Sequence, residues 1–150
     1  MARTTRQSRH TRRPIIFFSD AHLGLGSREE DRRKEERLVA FLRSVAHTAE
    51  HIFIVGDLFD YWFEYRTVVP KGHVRILGAL AEVRDRGVGI TYVVGNHDFW
   101  MRDYFPEELG IEVCPDPIER VLYGKRFLIH HGDGLLRNDT GYRILKAVLR

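Results

Sequence analysis

Cysteine is almost absent from this sequence of 150 residues, which contains only Cys114. A single cysteine cannot form an internal disulfide, so small disulfide-stabilised folds are excluded and a buried, unreactive thiol is expected. No stretch approaches the roughly 18 consecutive apolar residues of a membrane span, and the apolar run 14–18 is too short for a secretory signal. We therefore expect a cytoplasmic protein, with any contact to the inner membrane being peripheral.

Acidic residues are absent from the first 13 residues, which contain five arginines: Arg3, Arg6, Arg9, Arg12 and Arg13. Removing these five from the total of 24 leaves 19 basic residues against 21 acidic ones, so the net charge of +3 belongs to this segment. We expect residues 1–13 to be a disordered basic arm in front of one domain, residues 14–150. The arm is either a contact for anionic lipid or nucleic acid or a solvated leader, and nucleic acid is not an expected partner of the domain.

The hydrophobic pattern predicts an α/β fold. Apolar runs typical of strands buried on both faces occupy residues 15–18, 52–55, 90–94 and 127–129. Apolar residues at helical spacing predict helices over 29–46, over 74–86 with Gly87 as its stop, and from Asp139 onward. Segments 120–123 and 126–129 flank Gly124 and Lys125, which predicts a hairpin with a type II′ turn and hence a mixed sheet.

Each predicted strand is followed directly by residues that bind metal ions: Asp20-Ala21-His22, Gly56-Asp57, Gly95-Asn96-His97-Asp98 and His131-Gly132-Asp133. Each motif alone is common in unrelated proteins, but their ordered occurrence at four strand ends is not. Loops at the carboxyl ends of strands gather at one edge of an α/β sheet, so these side chains are expected to lie together.

This set of oxygen and nitrogen donors, without thiolate, suits Mn²⁺, Fe²⁺ or Zn²⁺. We expect the ligands to be Asp20, His22, Asp57, Asn96 and His131. Asp20 and His22 are expected to emerge on the same side of an extended segment, and Asp57 is the candidate bridge between two ions. Two such ions are typical of phosphoryl transfer.

His97 is expected to serve a different purpose, as a general acid next to the leaving group. Asp60 is expected to orient the His97 ring. The alternative is a surface histidine that pairs with a nearby acid. His131, rather than His130, is expected to join the metal site, because successive strand residues point to opposite faces.

Aromatic residues are concentrated in the segment 61–65, which contains Tyr61, Trp62, Phe63 and Tyr65. They either pack in the core beneath the site or form an apolar wall for a hydrophobic substrate. Core packing is the expected arrangement.

The ordered motifs Asp-x-His, Gly-Asp-x-x-Asp, Gly-Asn-His-Asp and His-Gly-Asp resemble those of the calcineurin-like metallophosphoesterases. Within that superfamily, segments 19–23, 56–60, 95–99 and 131–134 look like those of the UDP-2,3-diacylglucosamine diphosphatases of lipid A synthesis. The resemblance extends from about Ile15 to the end of the chain.

The resemblance implies a β-sandwich of mixed sheets flanked by helices. It also implies two bound divalent ions, with Mn²⁺ as the expected metal. It implies hydrolysis of the pyrophosphate bond of UDP-2,3-diacylglucosamine, a nucleotide-lipid substrate, to UMP and 2,3-diacylglucosamine 1-phosphate. It also assigns metal ligation to the five residues named above and substrate contacts to Asn96, His97 and Asp139. Some members of the family have arginine at the position of His97.

The family also has a helical lid and a Gly-His-x-His motif that supplies two further ligands, and this sequence contains neither. We therefore expect a fragment or truncated reading frame, with the C-terminal part missing, weak metal binding and little or no catalysis by the chain alone. Two alternative functions remain: a phosphodiesterase or phosphatase for another substrate, and a non-catalytic interaction domain with the same fold.

Overall fold

The computed structural model describes residues 12–133. Its elements follow the order β1 (Ile15–Phe18), α1 (Arg28–Val45), β2 (His51–Val55), α2 (Val74–Asp85), β3 (Gly89–Val93), α3 (Tyr104–Leu109), β4 (Glu112–Cys114), β5 (Ile118–Leu122) and β6 (Lys125–Ile129). The helix predicted from Asp139 onward lies outside the described residues.

Of the expected basic arm, only Arg12 and Arg13 are described, and both contact the folded domain. The Arg12 guanidinium lies 5.0 Å from the centre of the Tyr123 ring. Arg13 donates a hydrogen bond from Nε to the Thr48 carbonyl at 3.2 Å and accepts one from the Tyr123 hydroxyl at its own carbonyl.

Four strands form a parallel sheet in the order β1-β2-β3-β4. Strands β1 to β3 and helices α1 and α2 agree with the sequence predictions to within one residue at each end, as does Gly87, which adopts a positive φ of 81° after α2. Strand β4 and helix α3 were not predicted, because three and six residues are too few to display a period. Since all four strands point the same way, their carboxyl ends share one edge.

Strands β5 and β6 form a separate antiparallel hairpin, so the expectation of one mixed sheet is wrong, although the α/β class with parallel and antiparallel sheets is confirmed. Leu122 pairs with Lys125, which makes Tyr123 and Gly124 the turn residues. Both have positive φ, 52° and 81°, as in a type I′ turn. The predicted type II′ turn at Gly124 and Lys125 was therefore one residue out of register, because glycine takes the second turn position.

Helix α1 begins with a capping box in which the Ser27 hydroxyl accepts from the Glu30 backbone N–H, and the Glu30 carboxylate accepts from the Ser27 N–H at 2.9 Å. Its buried face contains Glu35, Val39 and Leu42. Phe41 was expected on that face but is 38% exposed, since it packs only edge-on against Phe18 at the sheet margin. No helix in the range 12–133 is long and apolar enough to cross a membrane.

The main core lies between the parallel sheet and helices α1 and α2, and a smaller core joins the other sheet face to the hairpin through Phe53, Val93, Cys114 and Ile129. Burial on both faces is correct for β2 and β3 but wrong for β1 and β6. Strand β1 lies at the sheet edge with Phe17 43% exposed, and β6 buries only Ile129 within the described part. Cys114 is buried, as expected, and burial raises the pKa of its thiol.

Candidate metal centre

The loops after β1 and β2 run side by side at the carboxyl edge of the sheet. The Asp20 N–H donates to the Gly56 carbonyl at 3.2 Å, and the His22 N–H donates to the Asp57 carbonyl at 3.0 Å. The Leu23 N–H continues this pairing to the Leu58 carbonyl at 3.0 Å. These backbone bonds bring the two side chains of the Asp-x-His segment up to Asp57.

Three residues of this edge have left-handed backbone conformations, with φ of 57° at Asp20, 43° at His22 and 54° at Asp57. The expected extended conformation at Asp20 and His22 is therefore wrong. Positive φ is uncommon for residues other than glycine and clusters at functional sites, where the surrounding structure enforces it. Here the paired loops enforce it, and the Asp20 carboxylate and His22 imidazole approach within 3.9 Å.

Asp57 is the centre of the cluster and is 2% exposed. Its Oδ2 lies 3.2 Å from His131 Nε2 and 3.8 Å from His22 Nε2. Asn96 joins from the loop after β3, with its Oδ1 3.2 Å from the same His131 nitrogen. All five residues that the sequence proposed as ligands thus meet at one edge of the sheet.

Ligand atoms that lie within 4.8 Å of one another form two groups that share Asp57: one with Asp20 and His131, the other with His22 and His97. His97, for which the sequence suggested a separate purpose, is thus also within reach of a cation. A carboxylate common to two groups is the arrangement needed to hold two ions side by side.

Two glycines allow this close approach. A Cβ at Gly56 would lie 2.5 Å from His131 Nδ1, and a Cβ at Gly95 would collide with Asp57 Oδ1. The glycines that precede Asp57 and Asn96 therefore make room for the ligands themselves, which is a reason for glycine at both positions beyond the positive φ of 78° at Gly56.

His131 and Asp57 form an ion pair. The hydrogen bond to Asp57 raises the pKa of His131 to about 9, against the opposing effect of burial. Burial likewise opposes ionisation of Asp57, but hydrogen bonds from His131 and the His97 backbone N–H lower the pKa of this carboxyl. His131 Nδ1 also bonds the Val55 carbonyl at 2.9 Å, which leaves Nε2 facing Asp57.

His97 is held by Asp60, the pairing that the sequence suggested. His97 Nδ1 lies 2.9 Å from the Asp60 backbone carbonyl and 3.2 Å from Asp60 Oδ1. The same carboxylate oxygen lies 3.6 Å from His22 Nδ1, and the rings of His22 and His97 meet edge to face at 4.8 Å. Because Nδ1 is engaged, Nε2 is the nitrogen that His97 has available for a ligand.

The residues fit a pair of divalent cations. Carboxylate, imidazole and amide donors without thiolate suit borderline divalent metals. His22 Nδ1 lies 3.6 Å from Asp60 Oδ1, so Nε2 is the His22 nitrogen directed at the Asp20 and Asp57 carboxylates. His131, Asn96 and Asp20 contribute donors around Asp57 from three other loops.

Sequence reasoning left several residues near the site without a role. Asp98 is fully buried and Glu64 is 2% exposed, and each accepts hydrogen bonds from two backbone N–H groups. Asp98 was visible as the last residue of Gly-Asn-His-Asp, but a buried acid at Glu64 has no signal in the sequence. Asp139, the proposed substrate contact, lies outside the described residues.

The aromatic segment divides by position, so the expectation of core packing is correct only for Trp62, which is fully buried and donates from Nε1 to Glu64 at 2.8 Å. Tyr61 and Tyr65 are 57% and 68% exposed. Phe63 packs between Tyr65, at 4.7 Å between ring centroids, and Trp100, at 5.1 Å. Tyr61, Phe63, Tyr65 and Trp100 together form an aromatic ridge, which begins directly after Asp60 in the chain.

A family profile described as calcineurin-like phosphoesterase matches residues 13–147. Among curated proteins, the chain is 45% identical over 143 residues to the UDP-2,3-diacylglucosamine hydrolase of Porphyromonas gingivalis, covering 92% of this chain and 55% of that protein. It is 36% identical over 135 residues to the enzyme of that name from Nitrosococcus oceani, covering 90% and 52%. The chain therefore spans about half the length of these relatives. The profile match over residues 13–147 shows that this chain belongs to the calcineurin-like phosphoesterase family.

Proposed function

We propose that this chain provides the two-metal centre of a hydrolase that cleaves the pyrophosphate bond of UDP-2,3-diacylglucosamine, releasing UMP and 2,3-diacylglucosamine 1-phosphate. The observation that carries the proposal is the buried Asp57 carboxylate shared by two groups of metal-type ligands. The names of the relatives from P. gingivalis and N. oceani support the choice of substrate.

Asp57 would be shared by the two ions, and Asp20, His22, Asn96 and His131 would supply further ligands, with Mn²⁺ as the expected metal. Bound divalent ions act as Lewis acids, neutralise phosphate oxygens and lower the pKa of water. The protein's own part is to fix the donors: the Val55 carbonyl orients the His131 ring through Nδ1, and paired backbone segments hold Asp20 and His22 against Asp57.

His97 would act on the leaving group. Its Nδ1 hydrogen-bonds the Asp60 carbonyl at 2.9 Å, with the Asp60 carboxylate 3.2 Å away, and this presents Nε2 to the substrate side. A histidine at that position can act on the departing phosphate oxygen as a hydrogen-bond donor or general acid through Nε2. The backbone N–H of His97 donates to Asp57 Oδ1 at 3.0 Å, so the acid and the bridging ligand are held in one unit.

The aromatic ridge suits the lipid part of the proposed substrate. Tyr61 and Tyr65 are exposed beside Asp60, and Trp100 lies on the loop that carries Asn96 and His97. Exposed aromatic rings next to a phosphate site provide an apolar surface for acyl chains. Asn96, His97 and Asp139 are the proposed polar contacts, and a substrate of this kind places the reaction at the cytoplasmic surface of a membrane.

The test is release of UMP from UDP-2,3-diacylglucosamine by the purified chain with Mn²⁺, compared with the Asp57→Ala variant. We expect weak UMP release from the wild-type chain, because it spans about half the length of the relatives. We expect this release to disappear in the variant. Undiminished release by Asp57→Ala would refute the mechanism. Direct binding of the substrate, measured by calorimetry, gives a second readout that does not depend on turnover.

A panel of substrates separates the alternatives. Preference for a simple phosphodiester or phosphomonoester would indicate a different substrate class on the same centre, since the metal site is indifferent to the groups on phosphorus. Binding of RNA or anionic vesicles that is lost on deleting residues 1–13, without metal binding or turnover, would indicate the interaction domain instead.

A further inference from the structure

Asp98, the last residue of the Gly-Asn-His-Asp segment, is a buried carboxylate that bonds backbone groups at and beside the proposed metal ligands. It is fully buried, and its Oδ2 accepts from the Leu58 N–H at 3.0 Å. Its Oδ1 accepts from the Gly95 N–H at 2.9 Å. The two donors belong to different loops, after β2 and after β3.

The places of these donors in the chain give the contact its meaning. Leu58 directly follows Asp57, and Gly95 directly precedes Asn96. One carboxylate group therefore joins the backbone beside the bridging ligand to the backbone beside the amide ligand. Further along, the same two loops are joined by the His97 N–H to Asp57 Oδ1, by His97 Nδ1 and the Asp60 carbonyl, and by the Trp62 N–H to the His97 carbonyl.

Tyr92 fixes the carboxylate in turn. Its hydroxyl donates a hydrogen bond to Asp98 Oδ2, and its ring is fully buried in β3, packed edge-on against Phe105 at 5.4 Å between centroids. The phenol thus connects Asp98 to the rigid interior of the sheet. A fully buried carboxylate that accepts three hydrogen bonds has one defined orientation.

We propose that Asp98 and Tyr92 are a positioning pair that sets the separation of Asp57 and Asn96 and thereby the affinity of the metal centre. The inference rests on the proposed metal centre but not on the identity of the substrate. Groups that orient metal ligands from behind typically change metal affinity by about 10- to 100-fold when removed.

The test compares the removal of two buried hydroxyl groups from the same strand. Tyr92→Phe removes the hydroxyl bound to Asp98. Thr91→Val is the matched control, because Thr91 is 1% exposed and its hydroxyl bonds His51 and Glu112, both at 2.9 Å, away from the metal centre. Both variants lose a buried hydrogen bond, but only the first is connected to the ligand loops.

Mn²⁺ affinity is measured by electron paramagnetic resonance titration, which detects weak binding, and the stability of the metal-free chain by urea unfolding. Both variants are expected to unfold at lower urea concentration. Tyr92→Phe is expected to bind Mn²⁺ about tenfold more weakly than the wild type, and Thr91→Val within about twofold of it. Asp98→Asn, which cannot accept from both backbone groups, is expected to lose more than Tyr92→Phe.

Unchanged Mn²⁺ affinity in Tyr92→Phe, or an equal loss in Thr91→Val, would overturn the inference, because the pair would then be only part of the core. If Asp98→Asn fails to fold, the comparison of Tyr92→Phe with Thr91→Val still decides. Failure of the wild-type chain to bind Mn²⁺ would contradict the proposed function itself, whereas equal binding by wild type and Tyr92→Phe contradicts only the positioning role.

Discussion

His131 Nε2 lies 3.2 Å from Asp57 Oδ2, and this contact joins the loop after β6 to the loop after β2. In the metal-free chain this contact is an ion pair that raises the pKa of His131 to about 9. A metal ion bound by Asp57 and His131 must displace that proton, so the same two residues serve the apo fold and the metal site.

Replacing Asp57 by asparagine removes the negative charge of the pair while preserving its size. The pKa of His131, followed by NMR in the metal-free chain, is expected to fall from about 9 toward 6.5. Mn²⁺ affinity is expected to fall by more than about tenfold, because the bridging ligand becomes neutral. A His131 pKa that stays near 9 would show that another group holds the proton.

The stability of the metal-free chain is expected to depend on pH. The pKa of His131 is higher in the folded chain than the ordinary value of 6.5, so its stabilisation is complete below pH 6.5 and is lost as the pH rises through about 9. The loss is at most about 3 kcal/mol, measured by urea unfolding with chelator present. The His131→Asn variant should show a flatter profile between pH 6.5 and 9, and an equally steep one would contradict this assignment.

At acid pH the stability of the metal-free chain is expected to change in the opposite direction and to decrease as the pH falls. Asp57 has a lowered pKa in the folded chain, so its stabilisation is present above the ordinary value of 3.8 and is lost as the pH falls through the lowered value. The metal-free chain should therefore be most stable in the interval between these two transitions.

Gly56 is expected to tolerate no side chain. Gly56 and Gly87 have nearly the same φ, 78° and 81°, but a Cβ at Gly56 meets His131 Nδ1 at 2.5 Å and Gly95 Cα at 2.8 Å, whereas a Cβ at Gly87 meets nothing within 4 Å. Gly87→Ala should cost about 1–2 kcal/mol from the backbone alone. Gly56→Ala should cost roughly 1–3 kcal/mol more because of overpacking, and should weaken Mn²⁺ binding.

Equal unfolding free energies for Gly56→Ala and Gly87→Ala would show that the loop after β2 can shift without cost. Unchanged Mn²⁺ binding by Gly56→Ala would show that His131 does not need its present position.

Glu64 anchors the segment that leads into α3. Its Oε2 accepts from the backbone N–H groups of Arg102 and Tyr104 at 2.9 and 3.2 Å, and its Oε1 accepts from Trp62 Nε1 at 2.8 Å. Glu64→Gln replaces one acceptor by a donor and is expected to lower the free energy of unfolding by about 1–3 kcal/mol. The exposed Glu108→Gln is the control, with a change expected below about 0.5 kcal/mol.

Hydrogen exchange locates the Glu64 effect. Amide protection should fall first in residues 100–105 of Glu64→Gln, whose backbone donors lose their acceptor. A uniform fall across the domain would indicate a general loss of stability instead.

The grouping of the candidate ligands that follow β1, β2 and β3 was predictable from the sequence, because parallel strands bring their carboxyl ends to one edge whatever the details of the loops. The runs that became β1, β2 and β3, each followed by Asp, His or Asn, were sufficient to group Asp20, Asp57 and Asn96. Helices α1 and α2 were equally predictable, since eighteen and twelve residues display a clear period.

The left-handed conformations at Asp20, His22 and Asp57 arise from backbone pairing between loops distant in sequence, as does the buried network of Asp98 and Tyr92. The exposure of β1 and β6 depends on which strands lie beside each of them. Whether an aromatic ring of segment 61–65 is buried or exposed depends on which neighbours it packs against. The sequence by itself determined which residues are candidate ligands and at which strand ends they lie, because those follow from local pattern. Only the tertiary structure decided how they are oriented and supported, because hydrogen bonds and packing between remote segments have no period along the chain.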